Sequence, residues 1–549
     1  RQAAGVGGGL RRALPARDRH DVDVVEAEKR HLRRSVAAPA LVVAFALLCP
    51  ACNWQVGTIE VHLVQPSESN RNPFDNVVSL RIRIEAEGMS SRETSVYVRD
   101  GKGGTLGDVP VGDDRMLIVE GLNGAGGVVS RGTSAPFDTR EGTTAIYLYF
   151  SQVGRFSGPP AVGEPGFNDR FRTKLSSESR VFHATAALDG GALVTGGVVA
   201  PPVDFLGRIT GGDSASGTAE VFDATAAAFE EESLALTPDR VHHSAALCPG
   251  SDLVLIIGGE HPDAMGTAAL YKQSTGRIEP GVSLNEPRSR HGTAVVTGER
   301  NGIVVAGGSQ ATLDDVLPWI EIFEQGTFED LGTQLEAERT GCQAVACPGG
   351  VLVVGGWQDD GNGGLEPSAL VDRIGFDGTR SHFDMQSARA EHTAVLVGPE
   401  DDPRLFVCGG LGDPDDDGVL EVLATCELID FLEAPPVSDV DVDVGRWAHT
   451  ATVLPDKSVL VAGGFNSVDP AGPTGGPAHQ HATLFYDLLD RINKFPRTIP
   501  MVAGRAGHTA TLLSNGTVVF IGGISKFDLT GEDPQPVMPD QDYEIFNPG

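Results

Sequence analysis

From position 413 the chain reads Asp413-Pro-Asp415-Asp416-Asp417-Gly418-Val-Leu-Glu421. Alternate carboxylates ahead of a glycine open a calcium loop: every second side chain aims at one hard cation, and glycine permits the sharp turn between them. Asp413, Asp415 and Asp417 would be the first ligands, and Glu421 would complete a short loop, because Ala424 stands where a full-length loop needs its final glutamate. The same residues also describe a solvated acidic turn. Calcium is the cofactor for which the sequence offers ligands, and nothing in the sequence demands it. His479-Gln-His481 sets two imidazoles close together without a third ligand, whereas zinc or copper requires three or four donors at about 2 Å.

A larger set of histidines recurs with arginine. The segments are Arg180-Val-Phe-His183, Arg240-Val-His-His243, Arg288-Ser-Arg-His291, Arg339-Thr-Gly-Cys342, Arg389-Ala-Glu-His392, Arg446-Trp-Ala-His449 and Arg505-Ala-Gly-His508. Each runs through a short apolar stretch to a glycine pair, closing at Gly197, Gly259, Gly308, Gly356, Gly410, Gly464 and Gly523. By subtraction those glycines lie 62, 49, 48, 54, 54 and 59 residues apart. Residues that recur once per repeat splay around an axis and do not converge on one metal. The pattern predicts hydrogen bonds and ion pairs between neighbouring repeats, with Cys342 as an apolar substitute.

The elements around these residues are short strands. After His449, residues 449–454 and 458–462 read as a strand pair around the Pro455-Asp-Lys457 turn, and residues 482–487 as a third strand. A period near 50 residues built of such strands is the mark of a propeller. With its glycine pairs and aromatic third strands, the chain resembles the kelch family from about residue 170 to the end. The resemblance implies an all-β, seven-bladed propeller. The tryptophan usual in the fourth strand of eukaryotic kelch blades is replaced, with Phe229, Phe328, Phe383 and Phe495 as candidates. In this the chain is similar to bacterial kelch proteins and to the galactose oxidase central domain. The last repeat stops after its third strand, so ring closure is predicted from residues 170–178 pairing with residues 542–547.

Residues 53–153 have another pattern: 58–64, 78–84, 94–98, 116–120 and 145–150 alternate apolar and polar residues between Gly, Asp and Asn turns. That predicts a small immunoglobulin-like β-sandwich acting as a spacer, followed by a linker over 154–169. Residues 1–52 read as an N-terminal extension and an export signal. Lys29-Arg-His-Leu-Arg-Arg34 supplies the basic part and residues 36–48 the apolar part, too short for a spanning helix. Translation starting near residues 22–25 would fit this reading. Ala51-Cys52 at its end resembles a bacterial lipobox, which implies acylation of Cys52 and, with Asn53 following, an outer-membrane lipoprotein, periplasmic or on the cell surface. Cleavage elsewhere is the alternative. Of the other cysteines, Cys408 ends a second strand and Cys426 lies in the next, so a disulfide between them suits an oxidising compartment; buried free thiols are the other reading.

A net charge of −33 with only seven lysines excludes nucleic acid as a partner, since like charge repels phosphate backbones. No Ser-His-Asp order, phosphate loop or paired-carboxylate motif assigns a catalytic residue. The favoured function is therefore binding: a monomeric, membrane-anchored module that presents a glycan or protein ligand with its loop face. The longest loops after the glycine pairs, in the sixth, seventh and first repeats, point to that side of the ring. A sugar-modifying enzyme such as a mutarotase, with Arg and Glu on the loop face, is the alternative, and a structural role in envelope assembly a third. A copper-radical oxidase is disfavoured because Tyr271, Tyr486 and Tyr543 all occupy third-strand slots.

Overall fold

The computed structural model describes residues 41–42, 56–68, 71–86, 91–97, 106–161, 166–176, 179–199, 215–310, 312, 314–415, 417–432, 437–442, 444–470, 476–486, 488, 496–528, 530 and 535–549. Of the segment read as a signal, Leu41–Val42 forms a short strand against Glu60 and Val61. Cys52, and with it the lipidation expectation, lies outside the described residues.

The N-terminal strands form two sheets. In one, Val56–Val64 lies between Leu106–Pro110, antiparallel, and Gly142–Tyr149, parallel. In the other, Ser79–Glu85 is flanked by Arg92–Tyr97 and Gly112–Leu122, and Val128–Thr133 and Ser151–Gln152 continue beyond. Period-2 alternation sends Ile59, Val61 and Leu63 from one sheet, and Leu80, Ile82 and Ile84 from the other, into a common core with Leu117, Val119 and Leu148.

Beyond residue 180, among the described residues, sheets of four or six strands, some with two-stranded ribbons beside them, follow in chain order. Their first strands are Ala184–Ala187, Ser244–Leu247, Gly292–Val296, Gln343–Cys347, Thr393–Val397, Thr450–Val453 and Thr509–Leu512. Each packs beside the next, and the last beside the first. The second strands, such as Gly191–Thr195 and Gly350–Val354, are buried along their whole length. They are covered by sheets on both sides, which explains their unbroken apolar sequence. Phe229 and Phe328 are buried in or beside fourth strands as expected, Phe383 is half-buried, and Phe495 lies outside the described residues. The result is an all-β protein with a closed, propeller-like ring.

Closure differs from the sequence expectation. The strand that pairs with Tyr543–Asn547 is Arg155–Ser157, with Phe156 opposite Phe546. Phe171–Arg172, expected in that place, instead borders Ala228–Glu230 of the first sheet. The reason is the fit of each ring to its neighbours. Phe156 is fully buried between Phe520 and Phe546, with ring centroids at 5.2 and 5.0 Å, whereas Phe171 packs on Phe167 and Tyr147. The segment read as a linker therefore begins with the closing strand. It leaves the sandwich directly, and the two units share packing: Ala135 and Tyr149 join the core of Phe222, Leu513 and Tyr543, and the Tyr149 amide donates to Thr225 O at 2.8 Å. Replacing Phe156 with Ala should lower the melting temperature by the equivalent of about 3–5 kcal/mol, in a single calorimetric transition. A second transition left at its original temperature would show that the sandwich melts independently of the ring.

Candidate functional site

The repeated arginines are the frame of the site. All seven are at most 1% exposed. In each, Nη1 donates to the carbonyl of the first glycine of its own repeat: Gly196, Gly258, Gly307, Gly355, Gly409, Gly463 and Gly522, at 2.7 to 3.4 Å. The arginine's own carbonyl accepts from the second glycine of the preceding repeat, ending with Gly523 N–H to Arg180 O at 2.9 Å. The glycines are required here. Their φ is positive, and a Cβ on Gly258 would stand 2.3 Å from Arg288 O.

Five of these arginines also meet a buried third-strand carboxylate. The pairs are Arg180–Glu220, Arg288–Glu321, Arg339–Asp372, Arg389–Glu427 and Arg505–Glu544. Arg240 is held by the carbonyls of Gly258, Ala264 and Thr267, and burial pushes its guanidinium down to about 10. The ion pairs thus form within five of the sheets and not between them, while the bridges between sheets are backbone bonds and histidines. His183, His243, His291, His449 and His508 reach Thr509, Thr195, Ser244, Thr393 and Thr450 of the preceding sheet through Nε2, at 2.8 to 3.0 Å. Cys342, buried in the same slot, points its thiol at Ala306 O. Burial and the adjacent arginines push His183, His291 and His392 down to about 3, so these rings are neutral.

The sequence analysis did not single out the residue just before each His or Cys. Phe182, His242, Arg290, Gly341, Glu391, Ala448 and Gly507 all have φ between 51 and 64°. Backbone bonds link them around the axis: His242 N to Phe182 O, Arg290 N to His242 O, Gly341 N to Arg290 O, Ala448 N to Glu391 O and Gly507 N to Ala448 O. A left-handed conformation held at one slot in every repeat, by residues that seldom adopt it, marks strain imposed by the frame, and such strain gathers at functional positions. The signal was present in the sequence as a slot of fixed spacing and free composition, with glycine in two of its seven occurrences.

These residues ring an axial cavity of about 440 Å³ with two unlike halves. The polar half holds His242, Arg290, Gln343 and Glu391. Arg290 Nε donates to Glu260 at 2.6 Å, and its Nη2 donates to His242 Nε2 at 2.8 Å. Glu391 accepts from Trp357 Nε1 at 3.2 Å. Burial raises the Glu391 carboxyl, opposed by Arg290 and by that bond. The apolar half is Phe182, Trp447, Phe465, Ile524 and Phe527. Phe465 and Phe527 come from the loops of the sixth and seventh repeats and Phe182 from the first, so the side of the ring expected to bind supplies the aromatic wall, and other repeats supply the polar groups.

The acidic loop lies apart from this cavity. Carboxylate oxygens of Asp413, Asp415 and Asp417 come within 4.8 Å of one another. Asp413 also accepts from the amides of Asp417 and Gly418. Glu421 pairs with Gly412 in a two-stranded ribbon and is outside that cluster; Asp416 lies outside the described residues. At the base of the ribbon, Cys408 and Cys426 face each other across an antiparallel pair and form a disulfide. His479 and His481 stack edge to face, and His479 Nε2 bonds Gly445 O. Tyr271 and Tyr543 are buried, Tyr486 is exposed, and none lines the cavity.

Ring, frame and axial cavity define the class: an all-β protein of propeller-like architecture with a pocket on its axis. No protein-family model and no curated protein matches the chain. It is similar to the solved structure titled "Structure of YjhT", at 13% identity and a TM-score of 0.39, over 57% of this chain and 97% of that one.

Proposed function

We propose that the chain is a seven-bladed kelch-type propeller with an immunoglobulin-like sandwich before it, exported and anchored through acylated Cys52, and that it binds a glycan or protein ligand through its loop face. The observation that carries this reading is the axial cavity: a polar crescent of His242, Arg290 and Glu391 together with an aromatic wall. Sugars present hydroxyl edges and apolar faces, and pockets that hold them combine a few placed polar groups with aromatic surface. We favour a glycan for that reason. Calcium at Asp413, Asp415 and Asp417 belongs to the same proposal as a support of the adjoining ribbon. The test is capture on a glycan panel, with calcium and with a chelator. Arg290→Met should reduce capture at least tenfold without a change in melting temperature; unchanged capture would exclude the axial cavity.

A second reading, sugar mutarotation, is favoured by one feature: Glu391, a carboxyl raised by burial, lines the same cavity as His242. Such groups can exchange a proton with the anomeric hydroxyl and the ring oxygen. Anomer exchange of free sugars followed by NMR distinguishes the two, since a binding module leaves the uncatalysed rate unchanged.

A further inference from the structure

We propose that the axial cavity takes a cationic saccharide, an amino sugar whose ammonium group rests against Glu391 and whose ring lies on the aromatic wall. This deepens the glycan reading and rests on it. Among the described lining residues Arg290 is the cation, and it is already bound to Glu260 at 2.6 Å. One guanidinium thus serves two carboxylates, Glu260 and Glu391. His242 does not add a charge toward Arg290: a guanidinium only donates, so the Nε2 facing it must accept and that nitrogen carries no proton. The floor histidines His183, His291 and His392 are neutral. Glu391 is left as the under-compensated charge, half-buried, with one bond from Trp357.

Access follows from the neighbouring slots. Glu391 stands between Gly341 and Ala448, two small residues of the ring's series, so a ligand atom can approach its carboxylate from either side. Phe182, Trp447, Phe465 and Phe527 line the same cavity, Trp447 and Phe465 with centroids 5.5 Å apart. Aromatic faces attract a cation through the ring quadrupole and also take the apolar face of a pyranose. A carboxylate and an aromatic wall in one pocket therefore favour a ligand with an ammonium group on an otherwise neutral ring. The net charge of −33 steers such cations toward the protein.

Calorimetric titration of the full chain with glucosamine, N-acetylglucosamine and glucose tests the proposal. Glucosamine should bind at least tenfold more tightly than the other two, with an advantage that shrinks as salt is raised. Glu391→Gln should bring the three to equal affinity, and Trp357→Phe, which removes the bond that orients Glu391, should narrow the gap. Equal affinities in the unmodified protein overturn the cationic ligand and leave the glycan reading standing, as does a preference that survives Glu391→Gln. If none of the three binds and the glycan panel is also blank, both readings fall.

Discussion

Between pH 7 and pH 5 the protein should lose a large part of its stability, with its melting temperature falling steadily by several degrees or more. His183, His291 and His392 have folded values of about 3, against about 6.5 in an unfolded chain. Their folded state resists protonation, so their contribution is complete above about 6.5 and is lost as the pH falls from there toward 3. Within that window each such histidine costs about 1.4 kcal/mol per pH unit. His243, His449 and His508 are shifted in the same direction by the same burial. Asp223, Glu230, Asp372, Glu391, Asp542 and Glu544 act with the opposite sign. Burial raises their carboxyls, so they hold protons that the unfolded chain releases and offset part of the loss. The six histidines set the direction, because unfolded imidazoles take up protons from about 6.5 downward while the folded ones do not. Melting curves across the range decide the matter, and His291→Gln, which keeps a polar group beside Ser244 Oγ, should flatten the slope. A melting temperature independent of pH would show that the rings are hydrated in solution.

Part of this was legible in the chain because it is written once per repeat. The Arg, the His or Cys three residues on and the glycine pair recur in every repeat, and each arginine donates to its own repeat's first glycine, so the sequence shows the frame as periodicity. Cys408 and Cys426 were legible for a related reason: strand order alone placed them opposite each other. What occurs once was harder to read. Arg155-Phe-Ser157 closes the ring with three residues that resemble no other fourth strand, and its place depends on a hole between Phe520 and Phe546 that exists only after folding. The axial site was hidden differently. Phe182, Arg290 and Glu391 share a slot but not a residue type, so a search for recurring residues passes over them. Their common property is a left-handed backbone, which only the two glycines of the series betray. Glu421 was named as a ligand from spacing along the chain, and the structure pairs it with Gly412 in the ribbon beside the three aspartates.

Removing one carboxylate from the frame should cost as much as removing a buried aromatic ring, and Glu321 is the place to measure it. Its two oxygens accept from Arg288 Nη2 at 2.5 Å, from the Asn285 amide and side chain at 2.8 and 2.9 Å, and from the Glu286 amide at 3.1 Å. Both Arg288 and Glu321 are at most 1% exposed. With Glu321→Ala the guanidinium stays buried without its counter-charge, for which the expected loss is about 3–5 kcal/mol. Two backbone amides lose their acceptor as well. Glu321→Gln keeps an oxygen for the amides and removes only the charge, so it should fall between the two proteins. Arg288 cannot simply move to water, because its Nη1 is fastened to Gly307 O and Trp319 O at 2.8 and 2.9 Å. The damage should therefore spread to the next slot: Arg290 is two residues on, and its backbone is set by the same turn. Chemical denaturation of the three proteins measures the first effect, and sugar affinity measured well below the transition reads the second. A stability loss under about 1 kcal/mol for Glu321→Ala would mean that the carbonyls of Gly307 and Trp319 suffice to hold the arginine, as the carbonyls around Arg240 do in the second sheet.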